Sequence, residues 1–183
     1  LITCNEPFTN LLTQGMVLYQ GAKMSKSKGN IIPPQPLIDQ YGADTIRLFI
    51  IFAAPPEQDI AWSQDGVEGA HRFLRKLWLF AKKYQAIICP NKQTPPPLST
   101  AGLHARQQIH QILKKINYDM QRNQFNTVVS GIMKCYNIMQ DYSDQAPDAP
   151  TLYYEITHNI VRLLAPITPH ICHALWQLLD FPG

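Results

Sequence analysis

The feature that most limits how this chain can fold is the spacing of apolar residues between Val67 and Tyr84. Rotated by about 100° per residue, Val67, Ala70, Phe73, Leu74, Leu77, Trp78, Phe80, Ala81 and Tyr84 fall in one arc of roughly 160°. A strand would scatter the same residues over two faces, so the spacing predicts a helix from about Gln64 to Gln85 with one buried side. Arg72, Arg75, Lys76, Lys82 and Lys83 occupy a separate arc of roughly 120° on the same rotation. That cationic stripe is either solvated charge or a surface for phosphate. No acid lies between His71 and Gln85, and a face that serves solubility alone usually mixes signs, which favours phosphate.

The same spacing recurs downstream. Ile109, Ile112, Leu113, Ile116 and Met120 define a second helix whose other side carries Arg106, Lys114, Lys115 and Arg122. After a break near Asn123, the positions Phe125, Val128, Val129, Ile132, Met133, Tyr136 and Met139 repeat it with almost no charge, so this helix is predicted to be central. Leu152 to Leu164 is helical through Ile156, Ile160 and Leu163 until Pro166 stops it, and Thr168-Pro169 supplies a cap and a first-turn proline for a last helix, His170 to Leu179. Prolines mark the connections: Cys89 to Ser99 reads as an extended linker, and Asp144 to Pro150 as a loop. Helices joined this way predict an antiparallel bundle over residues 61–183.

Residues 1–60 read differently, as a small α/β portion. Met16 to Tyr19 is a strand by length and β-branching, and Ile31-Ile32 can pair briefly before Pro33-Pro34 ends any central strand. Pro36 suits the first position of a short helix through Asp39, closed by Gly42. Asp44 suits the start of a helix from Thr45 to Ala53, ended by Pro55-Pro56. The fold class expected is therefore mainly α.

Composition removes several classes of function. With 183 residues, 45% of them hydrophobic, the chain can bury a substantial core, and a net charge of +3 is compatible with nucleic acid without requiring it. The longest apolar run, Leu48 to Ala54, is far too short to span a membrane. Cys4, Cys89, Cys135 and Cys172 are widely spaced, which suggests neither a zinc site nor a disulfide framework and points to reduced thiols in the cytoplasm. His170, Cys172 and His173 lie together, but no further ligand completes a metal set, so no metal site is expected. Glu57, Asp59, Asp65 and Glu68 cluster without a nucleophile beside them and read as structural. Leu1 at the start and Pro182-Gly183 at the end suggest a segment of a longer polypeptide.

One stretch stands outside every amphipathic pattern. Lys23-Met24-Ser25-Lys26-Ser27-Lys28-Gly29-Asn30 places three lysines, two hydroxyls and a tight-turn dipeptide within eight residues, a composition suited to polyphosphate and equally to a solvated loop. Lys23 to Ser27 reads KMSKS, and with the continuation Tyr41-Gly42-Ala43-Asp44-Thr45-Ile46-Arg47-Leu48-Phe49 it resembles the signature region of class I aminoacyl-tRNA synthetases. Ala54 to Asp59, Trp62-Ser63 and Gly66 to Leu74 resemble the bacterial leucine-specific branch more than the isoleucine, valine or methionine branches. Leu164 to Trp176 is similar to a helical-domain motif of the same group. The resemblance runs from about Asn5 to Leu179.

The resemblance implies ATP as a substrate, with Mg2+ carried on it, and leucine and tRNA(Leu) as the other partners. It implies Lys26 as the group that meets the departing pyrophosphate, Lys23 assisting it, and Met24, Ser25, Lys26 and Ser27 as the nucleotide-binding loop. The helical part resembles an anticodon-binding domain that supports the tRNA body. Arg72, Arg75, Lys76, Lys82, Lys83, Arg106, Lys114 and Lys115 are the candidate RNA contacts. A monomeric, cytoplasmic parent follows from the same likeness. The HIGH motif and most of the nucleotide-binding fold are absent from these residues, so the segment alone is not expected to aminoacylate; nor does the short stretch from Met16 to Lys23 hold the module that some bacterial leucine enzymes insert there. The alternatives are a branch specific for isoleucine, valine or methionine, a non-catalytic tRNA-binding module, and a helical bundle that docks an acidic protein.

Overall fold

A computed structural model describes residues 3, 8–88 and 96–182. Cys4, Cys89 and most of the proline-rich linker lie outside the described residues; residues 96–99 of that linker are non-helical.

The first layer is a three-stranded sheet. β1 (Val17–Tyr19) pairs antiparallel with β2 (Ala22–Lys23) and parallel with β3 (Ile60–Ala61), in the order β2-β1-β3. Gln20 and Gly21, at φ 53° and 74°, make a two-residue turn of left-handed residues, whose twist matches the right-handed twist of the strands it joins. Both edges of β1 are thereby used, and residues 31–32 form no strand, contrary to the expectation for Ile31-Ile32. α1 (Pro34–Tyr41) starts at Pro34, where a missing N–H costs nothing, so Pro36 sits within its first turn rather than opening it. Gly42, at φ 84°, ends it and leads straight into α2 (Ala43–Ala53).

The bundle begins with α3 (Gln64–Lys83), whose N-terminal N–H groups are met by the Ser63 hydroxyl accepting from Gly66 N at 3.1 Å. Its buried residues are Val67, Ala70, Phe73, Leu74, Leu77, Phe80 and Ala81, while Trp78 and Tyr84 are half-buried at the edge of the apolar arc. A short α4 (Gln85–Ile88) follows. α5 (Thr100–Gln121), α6 (Phe125–Asp141), α7 (Ala149–Leu164) and α8 (Pro169–Leu178) complete the described helices. α5 is capped by Ser99, and Asn123, at φ 56°, turns the chain back into α6. α6 packs against α5, α7 and α2, which makes it the central helix that its lack of charge predicts. Phe73, Phe80, Tyr84, Tyr136 and Tyr153 form a chain of edge-on and tilted ring contacts across α3, α6 and α7. α2 packs on α3, α6 and α8, so the helix next to the sheet is itself part of the bundle core.

Candidate functional site

The basic loop leaves the end of β2, at the opposite end of the β1–β2 hairpin from its Gln20-Gly21 turn. Lys23 ends β2, the Met24 N–H donates to Val17 O at 3.1 Å, and Lys26–Lys28 make a single 3₁₀ turn. Asn30 fastens the loop at its base: its Oδ1 accepts from Ser25 N at 2.8 Å and its Nδ2 donates to Lys23 O at 3.1 Å. Gly29, at φ 66°, supplies the left-handed residue that brings Asn30 back to Ser25. Ser25 Oγ and Ser27 Oγ lie 2.8 Å apart and share one hydrogen bond, so the two hydroxyls brace each other across the turn. Lys23, Lys26 and Lys28 are all exposed, and among the described residues none forms an ion pair. The result is three free ammonium groups on a backbone held by side-chain hydrogen bonds, an arrangement that can meet a polyphosphate at little ordering cost.

The acidic cluster holds the sheet and the start of α3 rather than a reaction centre. Asp59 Oδ1 accepts from Met16 N at 2.7 Å and fixes the entry to β1. Glu68 lies near Tyr41 OH and Arg72.

The eight candidate RNA-contacting cations are all exposed, but their surroundings differ. Arg72 stands 4.0 Å from Glu68, Arg106 bonds Glu155 at 2.9 Å, and Lys83 stands 3.9 Å from Asp144. The Lys83 ammonium donates to Tyr84 OH at 2.7 Å, which in turn donates to Asp144 Oδ2 at 2.8 Å. The Tyr84 hydroxyl therefore holds Lys83 above its ordinary pKa and Asp144 below its own. Asp144 and Glu155 come from other elements, whereas Glu68 lies one turn before Arg72 on α3 itself. Arg75, Lys76, Lys82, Lys114 and Lys115 form no ion pair among the described residues. Lys76 and Arg72 border a groove of about 640 Å³ between α2, α3 and α6 floored by Phe49, Phe73 and Tyr136. Lys115 is joined across the α5–α6 groove by Lys134, a cation that the one-helix view did not single out.

The His170, Cys172 and His173 group is dispersed by its partners. His170 Nδ1 faces Asp44 Oδ1 at 2.8 Å, and Cys172 Sγ lies beside the Thr168 hydroxyl in the core. Burial pushes the Cys172 and Cys135 thiols up to about 11, so both are inert. Among the described residues no group of three His, Cys, Asp or Glu side chains could hold a metal ion.

The lysine loop with its sheet and the helical bundle each have counterparts among known proteins. Residues 1–63 match the family model of tRNA synthetases class I (I, L, M and V), and residues 103–182 match the anticodon-binding domain of tRNA ligase. Over both regions the chain is similar to the class I tRNA synthetases. Its particular likeness is to leucine–tRNA ligase: it is 54% identical over its whole length to that enzyme of Coxiella burnetii (strain Dugway 5J108-111). It is 48% identical over 99% of its length to that of Legionella pneumophila (strain Corby). It spans 23% of the length of each of these relatives. Its fold matches, at a TM-score of 0.86 and 26% identity over 98% of the chain and 23% of the other, a LeuRS of Agrobacterium radiobacter K84 solved as a ternary complex with tRNA and LeuAMS.

Proposed function

We propose that the parent polypeptide is a leucine–tRNA ligase and that this segment contributes its leaving-group loop and part of its tRNA surface. The observation that carries the reading is Lys26, exposed on the fastened loop after β2, within a sequence that aligns over its whole length with leucine–tRNA ligases. In the proposed reaction the leucine carboxylate attacks the α-phosphorus of ATP and pyrophosphate departs; the terminal ribose hydroxyl of tRNA(Leu) then attacks the adenylate carbonyl and AMP leaves. Negative charge grows on the departing pyrophosphate. An ammonium positioned there stabilises the transition state more than the ground state, the condition for acceleration. Lys26 takes that role, Lys23 assists from the end of β2, and Met24, Ser25 and Ser27 shape the loop. Mg2+ arrives with the nucleotide.

Residues 1–60 are assigned to the catalytic unit and 61–183 to the RNA-supporting bundle, with a monomeric, cytoplasmic parent. The cations without carboxylate partners, Arg75, Lys76, Lys82, Lys114 and Lys115, are assigned to RNA phosphates; Arg72, Lys83 and Arg106 serve the same surface, since exposed ion pairs are weak and exchange readily for phosphate.

The test is leucine-dependent ATP–pyrophosphate exchange by the full-length parent. Lys26→Ala is expected to lower kcat by about 10² to 10³. A wild-type exchange rate in that variant would refute the assignment. Exchange stimulated by isoleucine, valine or methionine instead of leucine would move the parent to another branch.

A further inference from the structure

The motif residues Asp44 and Arg47 have no part in the chemistry above, yet they make the longest-range polar contacts of α2. Asp44 lies in the first turn of α2 and is largely buried. It does not cap its own helix. Its Oδ2 accepts from Ile171 N at 2.7 Å and its Oδ1 accepts from His170 Nδ1 at 2.8 Å, so the carboxylate caps the N-terminus of α8. Thr168, the N-cap residue of α8, supplies no side-chain cap, its hydroxyl being turned to Leu164 O and Cys172 Sγ. Arg47, one turn along α2, donates through Nε to Ile167 O at 2.7 Å and through Nη2 to Pro166 O at 3.0 Å.

The same face of α2 thus binds both sides of the α7–α8 corner. Its anion meets the N–H end of α8 and its cation meets the Pro166 and Ile167 carbonyls of the corner between α7 and α8. The other end of α2 is tied to the sheet. Phe49 packs edge-on against Trp62 with ring centroids 5.1 Å apart, Trp62 N donates to Leu18 O at 2.8 Å, and Leu18 pairs with Lys23 at the root of the lysine loop. An unbroken series of contacts therefore runs from the bundle corner through α2 to the loop.

We propose that Asp44 and Arg47 are positioning residues for Lys26: they lock the register of α2 against the α7–α8 corner, and that register sets where the lysine loop stands. The inference rests on the role of Lys26 proposed above. Misplacement of a reacting group by about 1 Å can cost about 10²-fold in rate, so an effect of this size needs only a small shift of α2.

Coupling must be measured rather than inferred from contacts, and a double-mutant cycle measures it. The experiment uses the full-length parent with Asp44→Asn, Arg47→Lys and Lys26→Ala, singly and with each latch variant combined with Lys26→Ala. Asp44→Asn preserves the shape of a buried side chain, and Arg47→Lys preserves the charge of an exposed one. Leucine-dependent exchange is read as kcat and KM, beside tRNA affinity and the melting temperature. Each latch variant is expected to lower kcat by about 10- to 100-fold and to lower it no further once Lys26 is already Ala. General damage to the fold would instead multiply with Lys26→Ala. Multiplicative losses, or an unchanged kcat in the single latch variants, overturn this proposal alone. A wild-type rate in Lys26→Ala removes the reading of the loop, and this proposal with it.

Discussion

Asp148 sits almost wholly inside the bundle on hydrogen bonds alone. Ser99 N donates to its Oδ2 at 2.7 Å and Tyr142 OH to its Oδ1 at 2.7 Å. Gly102 leaves the room this needs, for a Cβ there would run into the carboxylate. Burial pushes its pKa up, but the donors outweigh burial and hold it below the ordinary 3.8. A folded pKa below the unfolded one contributes stability that is complete above the unfolded value and is lost as pH falls through the folded one. Denaturation measured across pH should therefore show wild-type stability declining below about pH 4. Asp148→Asn should lose about 1–2 kcal/mol at neutral pH and decline less steeply in the acid window. An unaltered acid slope would show that the carboxylate charge is not what the bundle uses. Nothing local in the sequence marks this residue, because the helix-entry N–H it receives, that of Ser99, comes from another part of the chain, and Tyr142, though only six residues away, reaches it by the fold of the loop between α6 and α7. Lys26 is the opposite case, since an exposed lysine in a short loop is legible from the string itself.

At the level of elements, close approach of α5 and α6 depends on Gly131. A Cβ there would stand 2.7 Å from Ile116 Cγ1, and Ile116 is only 1% exposed. Alanine gains about 1 kcal/mol in helix propensity, but overpacking of this kind costs about 1–3 kcal/mol. Gly131→Ala is expected to lower stability by about 1 kcal/mol, read in a thermal or denaturant melt; a stabilised variant would mean that the helices separate without cost. The long helices were legible because their apolar faces repeat over many turns. Their ends were less so: α1 starts two residues before Pro36, and α7 starts at Ala149 rather than Leu152. β2 and β3 are two residues each, too short to carry any alternation, and exist because β1 offers them both edges.

For the molecule as a whole, the function proposed above assigns RNA phosphates to the cations that lack carboxylate partners among the described residues. Reversing Arg75, Lys76 and Lys82 to Glu in the parent should weaken tRNA(Leu) binding and reduce the slope of log affinity against log salt by about 2–3, one contact per residue. A steep, unaltered slope would take this face of α3 out of the interface. The linear chain by itself determined the mainly helical class, the core faces of α3, α5 and α6, and the lysine loop, because periodicity and a contiguous motif are local properties of the string. Only the folded structure decided that Asp44 caps α8 instead of α2, that Asp144 and Glu155 neutralise Lys83 and Arg106, and that α2 belongs to the bundle. Each of those depends on groups far apart in sequence meeting across packed helices, and long-range electrostatics leaves no trace in local spacing.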